Sequence, residues 1–299
     1  MGKILRWIGI VLGVLVGLLV VAYGVLYVLS EQQLNKVYEV TVENVVVPTD
    51  AAAIERGGHF VTGLLFCIEC HGPDLSGGVL SDDPITGRLN APNLTRGQGG
   101  SGHEFSDEDF VRAIRHGVNP QGRALVVMPS NLFWELSDAD LGAIIAYIKS
   151  VPPVDKETPD LAIGPVGRFY VVSDPLSLPA SVIDHDGPRP PVPEPGVTAE
   201  YGRYLAVQCR SCHGEDMAGM PEEMGGGNNL TPGGEVGGWT AEEFIETIRT
   251  RVKPNGEELD PEMAPLFQTI ARLTDDELTA IYLYLQSLPA VESTPQGEG

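Results

Sequence analysis

Two short cysteine motifs carry the most specific chemistry in this sequence. Residues 66–72 read FCIECHG and residues 208–214 read QCRSCHG, so each motif places two cysteines around a two-residue gap and follows the second with a histidine. The residues are Cys67, Cys70 and His71 in the first motif and Cys209, Cys212 and His213 in the second. Together the motifs use all four cysteines of the chain. A disulfide switch, half of a zinc site and a covalent haem anchor are the chemistries that such a pattern could serve.

The spacing of the motifs separates these chemistries. The halves of zinc ribbons and fingers usually lie within about 12–20 residues of each other, whereas Cys67 and Cys209 are 142 positions apart. A thioredoxin-like redox pair gives no reason for a histidine to follow both pairs. The pattern C-x-x-C-H is the attachment signature of c-type haem, in which two thiols add to the porphyrin vinyl groups and the histidine binds the iron. We therefore predict two covalently bound haem c groups, with His71 and His213 as iron ligands.

Internal repeats indicate that the chain contains one domain twice. Each copy is about 95–100 residues long, so each should have a small core of its own. The matched segments are GGHFVTGLLFCIECHGPDLSGG (57–78) with YGRYLAVQCRSCHGEDMAGM (201–220), APNLT (91–95) with NNLTPG (228–233), FVRAIRHGVNPQG (110–122) with FIETIRTRVKPNG (244–256), and LSDADLGAIIAYIKSVP (136–152) with LTDDELTAIYLYLQSLP (273–289).

The same helices are predicted in both copies. One runs into each haem motif, over about 51–66 and 199–208, and the next two begin at capping-box patterns. These patterns are SDED (106–109), SDAD (137–140), TAEE (240–243) and TDDE (274–277). Loops rich in glycine, proline and asparagine are expected between the helices, without alternating strands.

The N-terminal segment predicts a membrane anchor. The uncharged stretch from Trp7 to Leu29, at about 1.5 Å per residue, can cross a hydrocarbon core of roughly 30 Å. A cleaved signal peptide would have a shorter apolar region of about 7–15 residues. Lys3 and Arg6 precede the span and Glu31 follows it, so the positive-inside rule predicts a single pass with the N-terminus inside and the remaining chain outside the cytoplasmic membrane.

The charge balance excludes one class of partner. The chain has 19 basic and 41 acidic residues, a net charge of −22, which argues against nucleic acid because its phosphates would repel such a surface. An acidic surface fits both a redox partner with a basic patch and simple solubility.

With these motifs in view, each half resembles a class I cytochrome c domain, and the whole resembles membrane-anchored dihaem c-type cytochromes. The resemblance implies an all-α fold of two tandem class I cytochrome c-like domains after an N-terminal transmembrane helix. The expected divisions are the anchor (1–30), a stalk (31–50), domain 1 (51–153), a proline-rich interdomain segment (154–196) that lies against both domains, domain 2 (197–291) and a disordered tail (292–299).

The resemblance also implies the second iron ligand of each haem. In this family it is usually a methionine on the loop before the last helix, which corresponds to Met128 in VVMPS and Met263 in EMAPLF. In the second half Met217, Met220 and Met224 stay open as alternatives to Met263.

The sequence gives less specific evidence for a haem-binding role of the other polar residues. Asn93 and Asn229, in the two NLT segments, resemble residues that line the family's haem crevice, although turn chemistry explains asparagine there as well. The remaining histidines have no matching positions in the two halves and are expected to be surface or interdomain residues. They are His59, His103, His116 and His185.

The resemblance implies an electron-transfer protein and no enzyme activity of its own. An iron held by histidine and methionine has no open position, so we expect electrons to pass from a quinol-oxidising complex or dehydrogenase to an oxidase or soluble carrier. The alternatives are a haem enzyme, such as a peroxidase or thiosulfate dehydrogenase, and an obligatory cytochrome subunit of a larger dehydrogenase or respiratory complex.

Overall fold

The structure, a computed structural model, describes residues 2–221, 226–259 and 263–293. It is mainly helical, which confirms the predicted fold class. Its α-helices are α1 Gly2–Leu34, α2 Ala51–His59, α3 Cys67–His71, α4 Ser101–Glu104, α5 Asp107–His116, α6 Ser130–Phe133, α7 Asp138–Ser150, α8 Pro165–Ser173, α9 Ala199–Leu205, α10 Arg210–His213, α11 Ala241–Thr250, α12 Ala264–Ile270 and α13 Asp275–Ser287. A π-helix, Phe60–Leu64, continues α2, and 3₁₀ turns occupy Pro175–Ser177, Pro179–Ser181, Ala206–Cys209 and Glu235–Gly238.

Helix α1 stands apart from the two repeated domains. With 33 residues it is about 50 Å long, and among the described residues it is the one helix long and apolar enough to cross a membrane. Most of its apolar side chains are exposed, as expected for a segment whose surroundings are lipid.

In each repeat, the helix before the haem motif crosses the last helix at a glycine. A Cβ atom on Gly57 of α2 would lie 1.9 Å from the carbonyl oxygen of Ala143 in α7, and a Cβ atom on Gly202 of α9 would lie 1.9 Å from that of Ala280 in α13. Only glycine lets the two backbones approach this closely. The two halves therefore share the same helix packing.

A π-helix lies where the first repeat is longer than the second. Gly57 and Cys67 are ten positions apart, whereas Gly202 and Cys209 are seven apart. The wider turn of Phe60–Leu64 takes up extra residues in the first repeat without moving the helix crossing.

The predicted helix starts are largely confirmed. The three complete capping boxes are Ser106 with Asp109, Thr240 with Glu243, and Thr274 with Glu277. At α7 the Ser137 side chain accepts the N–H of Asp140, but Asp140 does not complete the box. The reciprocal bond predicted there is wrong, because the Asp140 carboxylate has other partners.

A small antiparallel sheet interrupts the first repeat. Strands β1 Gly78–Asp83 and β2 Gly87–Ala91 form a hairpin, and β3 Ala162–Ile163 adds to the other side of β2. The Asp83 carboxylate accepts two backbone N–H groups in the turn, and Gly87 has φ 108°. The prediction of loops alone is wrong here. The first repeat is six residues longer than the second between its haem motif and its NLT segment. The second repeat therefore has no matching segment from which the hairpin could be inferred.

Residues 154–196 fold onto the first domain and α1. The Val154 carbonyl accepts from Asn93, β3 extends the sheet, and Arg189 donates to Asp138 at 2.8 Å. Helix α8 packs against the end of α1. The two domains also contact each other directly, through side chains near α7, α9 and α13.

Candidate haem sites

A cavity in the second domain brings together the predicted haem residues of that half. Its volume is about 620 Å³, within the usual size range of ligand pockets. Cys209, His213 and Met263 line it, and so do Met220 and Asn229. Apolar side chains complete the wall: Leu205, Leu230, Val236, Trp239, Phe244, Ile248, Phe267, Ile270, Leu278, Ile281 and Leu285.

The cavity fits a porphyrin, and one buried polar group in its wall lacks a hydrogen-bond partner. Thr247 is buried, lines the cavity and has a side-chain oxygen without a hydrogen-bond partner among the described residues. A buried hydroxyl of this kind costs free energy unless a bound group satisfies it. A large apolar wall, the Cys209 thiol and the His213 imidazole match what a covalent haem needs.

Each haem motif forms one tight helical turn. Cys67–His71 is α3, while Cys209 directly precedes α10, and each turn ends at a glycine with φ 79°. All four cysteines lie within the described residues and are unbridged. In the described part of the chain, no group of three or more His, Cys, Asp or Glu side chains is arranged so that it could hold a metal ion, so the zinc alternative gains no support.

Both motif histidines are buried and held by a backbone carbonyl. His71 Nδ1 is 2.9 Å from the oxygen of Pro92, and His213 Nδ1 is 2.6 Å from that of Asn228. A carbonyl can only accept, so Nδ1 carries the proton and Nε2 of the neutral ring is free to bind a metal. Burial lowers the pKa of both histidines more than these hydrogen bonds raise it, which favours the neutral ring.

The structure separates the candidate methionines of the second half. Met263 and Met220 line the cavity, whereas Met217 is fully buried in the core with φ 58°. Met217 occupies the place that Leu75 has in the first repeat. Each accepts a backbone hydrogen bond from the leucine of its NLT segment: Leu94 N–H donates to the Leu75 carbonyl and Leu230 N–H to the Met217 carbonyl. Met224 lies outside the described residues.

In the first half, Met128 packs against the same apolar cluster as Cys67. The preceding Val127 has φ 65° and donates its N–H to the carbonyl of Ser177. The loop that carries Met128 is therefore held by the interdomain segment.

The two asparagines tie the NLT loops to the chain after the last helix. Asn93 donates to the carbonyls of Val154 and Lys156, and Asn229 donates to that of Val291. Each side-chain oxygen also accepts the N–H two residues ahead, which is the turn chemistry considered from the sequence. Asn229 lines the cavity as well, and the crevice role of both residues stays a prediction.

Three of the four other histidines have side-chain hydrogen-bond partners. His59 donates Nε2–H to Glu277, 2.9 Å away in the other domain. His116 is buried, with Nδ1 3.1 Å from His185 and Nε2 3.1 Å from Glu43, so both its ring nitrogens are engaged. His103 is an exposed residue of α4.

Sequence reasoning missed a repeated arginine. Arg115 donates to the carbonyl of Leu136 and pairs with Asp138 at 2.9 Å, and Arg249 donates to the carbonyl of Leu273 and pairs with Asp275 at 2.8 Å. Each arginine fixes the start of the last helix, next to the methionine loop. The aligned segments FVRAIR and FIETIR contained this signal.

Comparison with known proteins agrees with this geometry. The family model described as Cytochrome c matches residues 55–152 and 199–289, one match for each repeat. This chain belongs to the cytochrome c family. With two family domains and one C-x-x-C-H motif in each, the cytochrome carries two covalently bound haem c groups.

Curated relatives of this cytochrome include dehydrogenase subunits. The fructose dehydrogenase cytochrome subunit of Gluconobacter japonicus is 25% identical over 83% of this chain and 56% of that protein. The alcohol dehydrogenase (quinone) cytochrome c subunit of Gluconacetobacter polyoxogenes is 26% identical over 81% and 57%. A diheme cytochrome c-type protein of Cereibacter sphaeroides is 27% identical over 76% and 83%. The cytochrome thus spans about half the length of the first two relatives.

Proposed function

We propose that this cytochrome relays electrons on the outer face of the cytoplasmic membrane, from a quinol-oxidising complex or dehydrogenase to an oxidase or soluble carrier. Haem c supplies a one-electron couple when it is bound. The residues of the chain attach it, close its two faces and set the distance between the two sites.

The observation that supports a relay is the contact of each cysteine motif with the other domain. Glu69, between Cys67 and Cys70, accepts a hydrogen bond from Thr269 of α12 at 2.5 Å. Arg210, between Cys209 and Cys212, donates to Glu135 of the first domain at 2.8 Å. Both attachment turns therefore lie at the domain interface.

The cavity of the second domain extends this contact. Gly63, Leu64 and Phe66 of the first domain form part of its wall, and Phe66 directly precedes Cys67. Residues next to the first haem motif thus pack against the second site, which favours electron exchange between the two.

We further propose His71 and Met128 as the iron ligands of the first site and His213 and Met263 as those of the second. With both faces closed by side chains, neither site would offer a reactant a coordination position. The carbonyl partners of the two buried histidines keep their rings oriented.

For the anchor, we propose that α1 remains attached and crosses the cytoplasmic membrane once with its N-terminus inside. Lys3 and Arg6 at one end and Glu31 at the other support this direction.

A second candidate is a cytochrome subunit of a dehydrogenase complex, favoured by the relatives that are named as such subunits. Affinity purification of the tagged chain from detergent-solubilised native membranes separates the two. A stand-alone carrier purifies alone, whereas a subunit brings a partner whose substrate reduces both haems in the purified complex.

Spectroelectrochemical titration of the purified full chain tests the relay. We expect two one-electron steps, the weak methionine-to-iron band in the oxidised spectrum, and no rapid binding of carbon monoxide or cyanide. A spectrum without that band, together with rapid ligand binding at both irons, would contradict the relay and favour a haem enzyme.

A further inference from the structure

Helix α8 presents an apolar surface that neither haem site uses. Phe169, Tyr170 and Val172 are exposed, the first two by 56% and 52%, and Val166 and the following Leu176 are exposed too. The opposite face of the helix is buried at Arg168 and Val171. The helix is therefore amphipathic, with its apolar side outward and its one charged residue inward, the reverse of the pattern expected beside water.

The inward arginine fixes α8 to a defined level of α1. The Arg168 guanidinium lies 3.9 Å from the ring centre of Tyr27, donates to the Ser30 hydroxyl at 2.7 Å and pairs with Glu31 at 2.9 Å. Ser30 is fully buried by this contact. A buried charge is stable only with its partners in place, so these three contacts hold α8 at this level of α1.

That level coincides with the outer membrane interface. Trp7 and Tyr27 are 20 positions apart, which is about 30 Å along a helix and equals the thickness of a hydrocarbon core. Aromatic side chains concentrate at both interfaces of spanning helices. The contact residues from Tyr27 to Glu31 cover about 6 Å more, which is the depth of the headgroup layer.

The local composition agrees with this position. Residues 161–176 include only two charged side chains, Arg168 and Asp174, in a chain that has 60 charged residues. Exposed apolar groups continue beside the helix at Ile85, whose carbonyl accepts the N–H of Val166. An exposed surface with aromatic side chains and few charges is suited to contact with lipid at the membrane interface.

We propose that the outward face of α8 is a lipid-binding surface that lies in the outer interface of the bilayer and fixes the first domain against the membrane. This inference rests on the proposed anchoring role of α1. The occupant is lipid because α8 is bound to the end of the apolar span, so any bilayer that surrounds α1 reaches α8 at the same depth. The surface would also hold the Met128 loop near the membrane, since Val127 is hydrogen-bonded to Ser177, four residues beyond α8.

Photolabelling tests the proposal on the full haem-loaded chain. The protein is placed in nanodiscs of phosphatidylcholine and phosphatidylglycerol that contain a small fraction of phosphatidylcholine with a diazirine in its acyl chain, then illuminated and analysed by peptide mass spectrometry. We expect lipid adducts on α1 and on the peptide that contains residues 165–176. The double variant F169D/Y170D should lose the α8 adducts severalfold and keep those on α1.

Controls separate this inference from the anchor. Val252→Asp, at an exposed valine of the second domain, should leave both sets of adducts unchanged, and the visible haem spectrum should confirm that each variant is folded. Adducts on α1 without adducts on α8, or α8 adducts that persist in F169D/Y170D, would overturn the lipid surface and leave a partner protein as its occupant. An unlabelled α1 would overturn the anchor, and the inference with it.

Discussion

The hydroxyl of Tyr204 donates a hydrogen bond to the Asp140 carboxylate across the domain interface, at 2.6 Å, and accepts the backbone N–H of Ser137 at 3.1 Å. Asp140 is the residue expected to close the capping box of α7 on Ser137. The tyrosine of the other domain has inserted between the two. The start of α7 is thus completed by the second domain.

The repeat makes a matching contact in the opposite direction. His59 precedes the first haem motif as Tyr204 precedes the second, and Glu277 is the third residue of α13 as Asp140 is of α7. The His59 ring donates to Glu277 at 2.9 Å. The interface therefore has an approximate two-fold relationship, in which each domain's first helix contacts the other domain's last helix.

Replacing Tyr204 by phenylalanine should destabilise the domain interface. Asp140 would keep its ion pair with Arg56 at 2.5 Å but lose a buried partner, and the Ser137 N–H would lose its acceptor, which costs about 1–3 kcal/mol. Guanidinium unfolding of the chain in detergent, followed by haem absorption, measures this change. Tyr282→Phe is the matched control, because that hydroxyl donates to Trp239 inside the second domain. If Tyr204→Phe changed the unfolding transitions of the two domains no more than Tyr282→Phe does, the interface role of Tyr204 would be refuted.

Acid should weaken the same interface through Glu277. Burial raises the pKa of this carboxyl, but the hydrogen bonds from His59 and from the Thr274 backbone outweigh it and leave the pKa below its ordinary value of 4.5. A lowered pKa in the folded state stabilises the protein above pH 4.5, and this contribution disappears as pH falls through the folded value. We therefore expect the free energy of unfolding to fall over this acid range as the Glu277 carboxylate is protonated.

Unfolding free energies measured from pH 7 down to pH 3 test this prediction. Glu277→Gln should show a flatter dependence on pH than the wild type in the acid range. Glu292→Gln, a substitution of an exposed carboxylate, should follow the wild-type curve. A Glu277→Gln curve parallel to the wild type would show that ionisation of this carboxylate does not stabilise the folded protein.

The glycine crossings should tolerate no side chain. Gly57→Ala would place a Cβ atom 1.9 Å from a backbone oxygen, and the forced separation of α2 and α7 should cost at least about 1–3 kcal/mol. Gly63→Ala is the control, since its nearest neighbours would lie at an ordinary 3.7 Å. Thermal unfolding of both variants provides the comparison, and equal stability would contradict the crossing.

The proposed methionine ligands predict effects confined to one haem each. Met263→Ala should lower one of the two potentials by a sizeable part of the ~0.8 V range that axial ligation controls, and Met128→Ala should lower the other. Redox titration with spectra at each potential measures both. Met220→Ala is the control in the second half, because Met220 lines the same cavity. A potential that moves with Met220 and stays constant with Met263 would reverse the assignment.

The sequence by itself determined the chemistry and the local structure. The C-x-x-C-H motifs needed no structure to be recognised, because the thiols and the histidine that attach a haem lie on one turn of chain. Three of the four capping boxes were equally readable, since each depends on residues three positions apart, and the duplication was visible in the matched segments. For the same reason Ser137 was recognised as an N-cap.

Tertiary structure decided how these parts meet. His59 and Glu277 are 218 positions apart, and no periodicity or propensity links residues at such a distance. The diversion of Asp140 to Tyr204, the burial of Met217 away from the cavity and the docking of α8 on α1 all depend on which surfaces come into contact when the helices pack. Haem motifs and helix caps depend on residues that are close in the sequence, whereas the interface depends on the shapes of two complete domains.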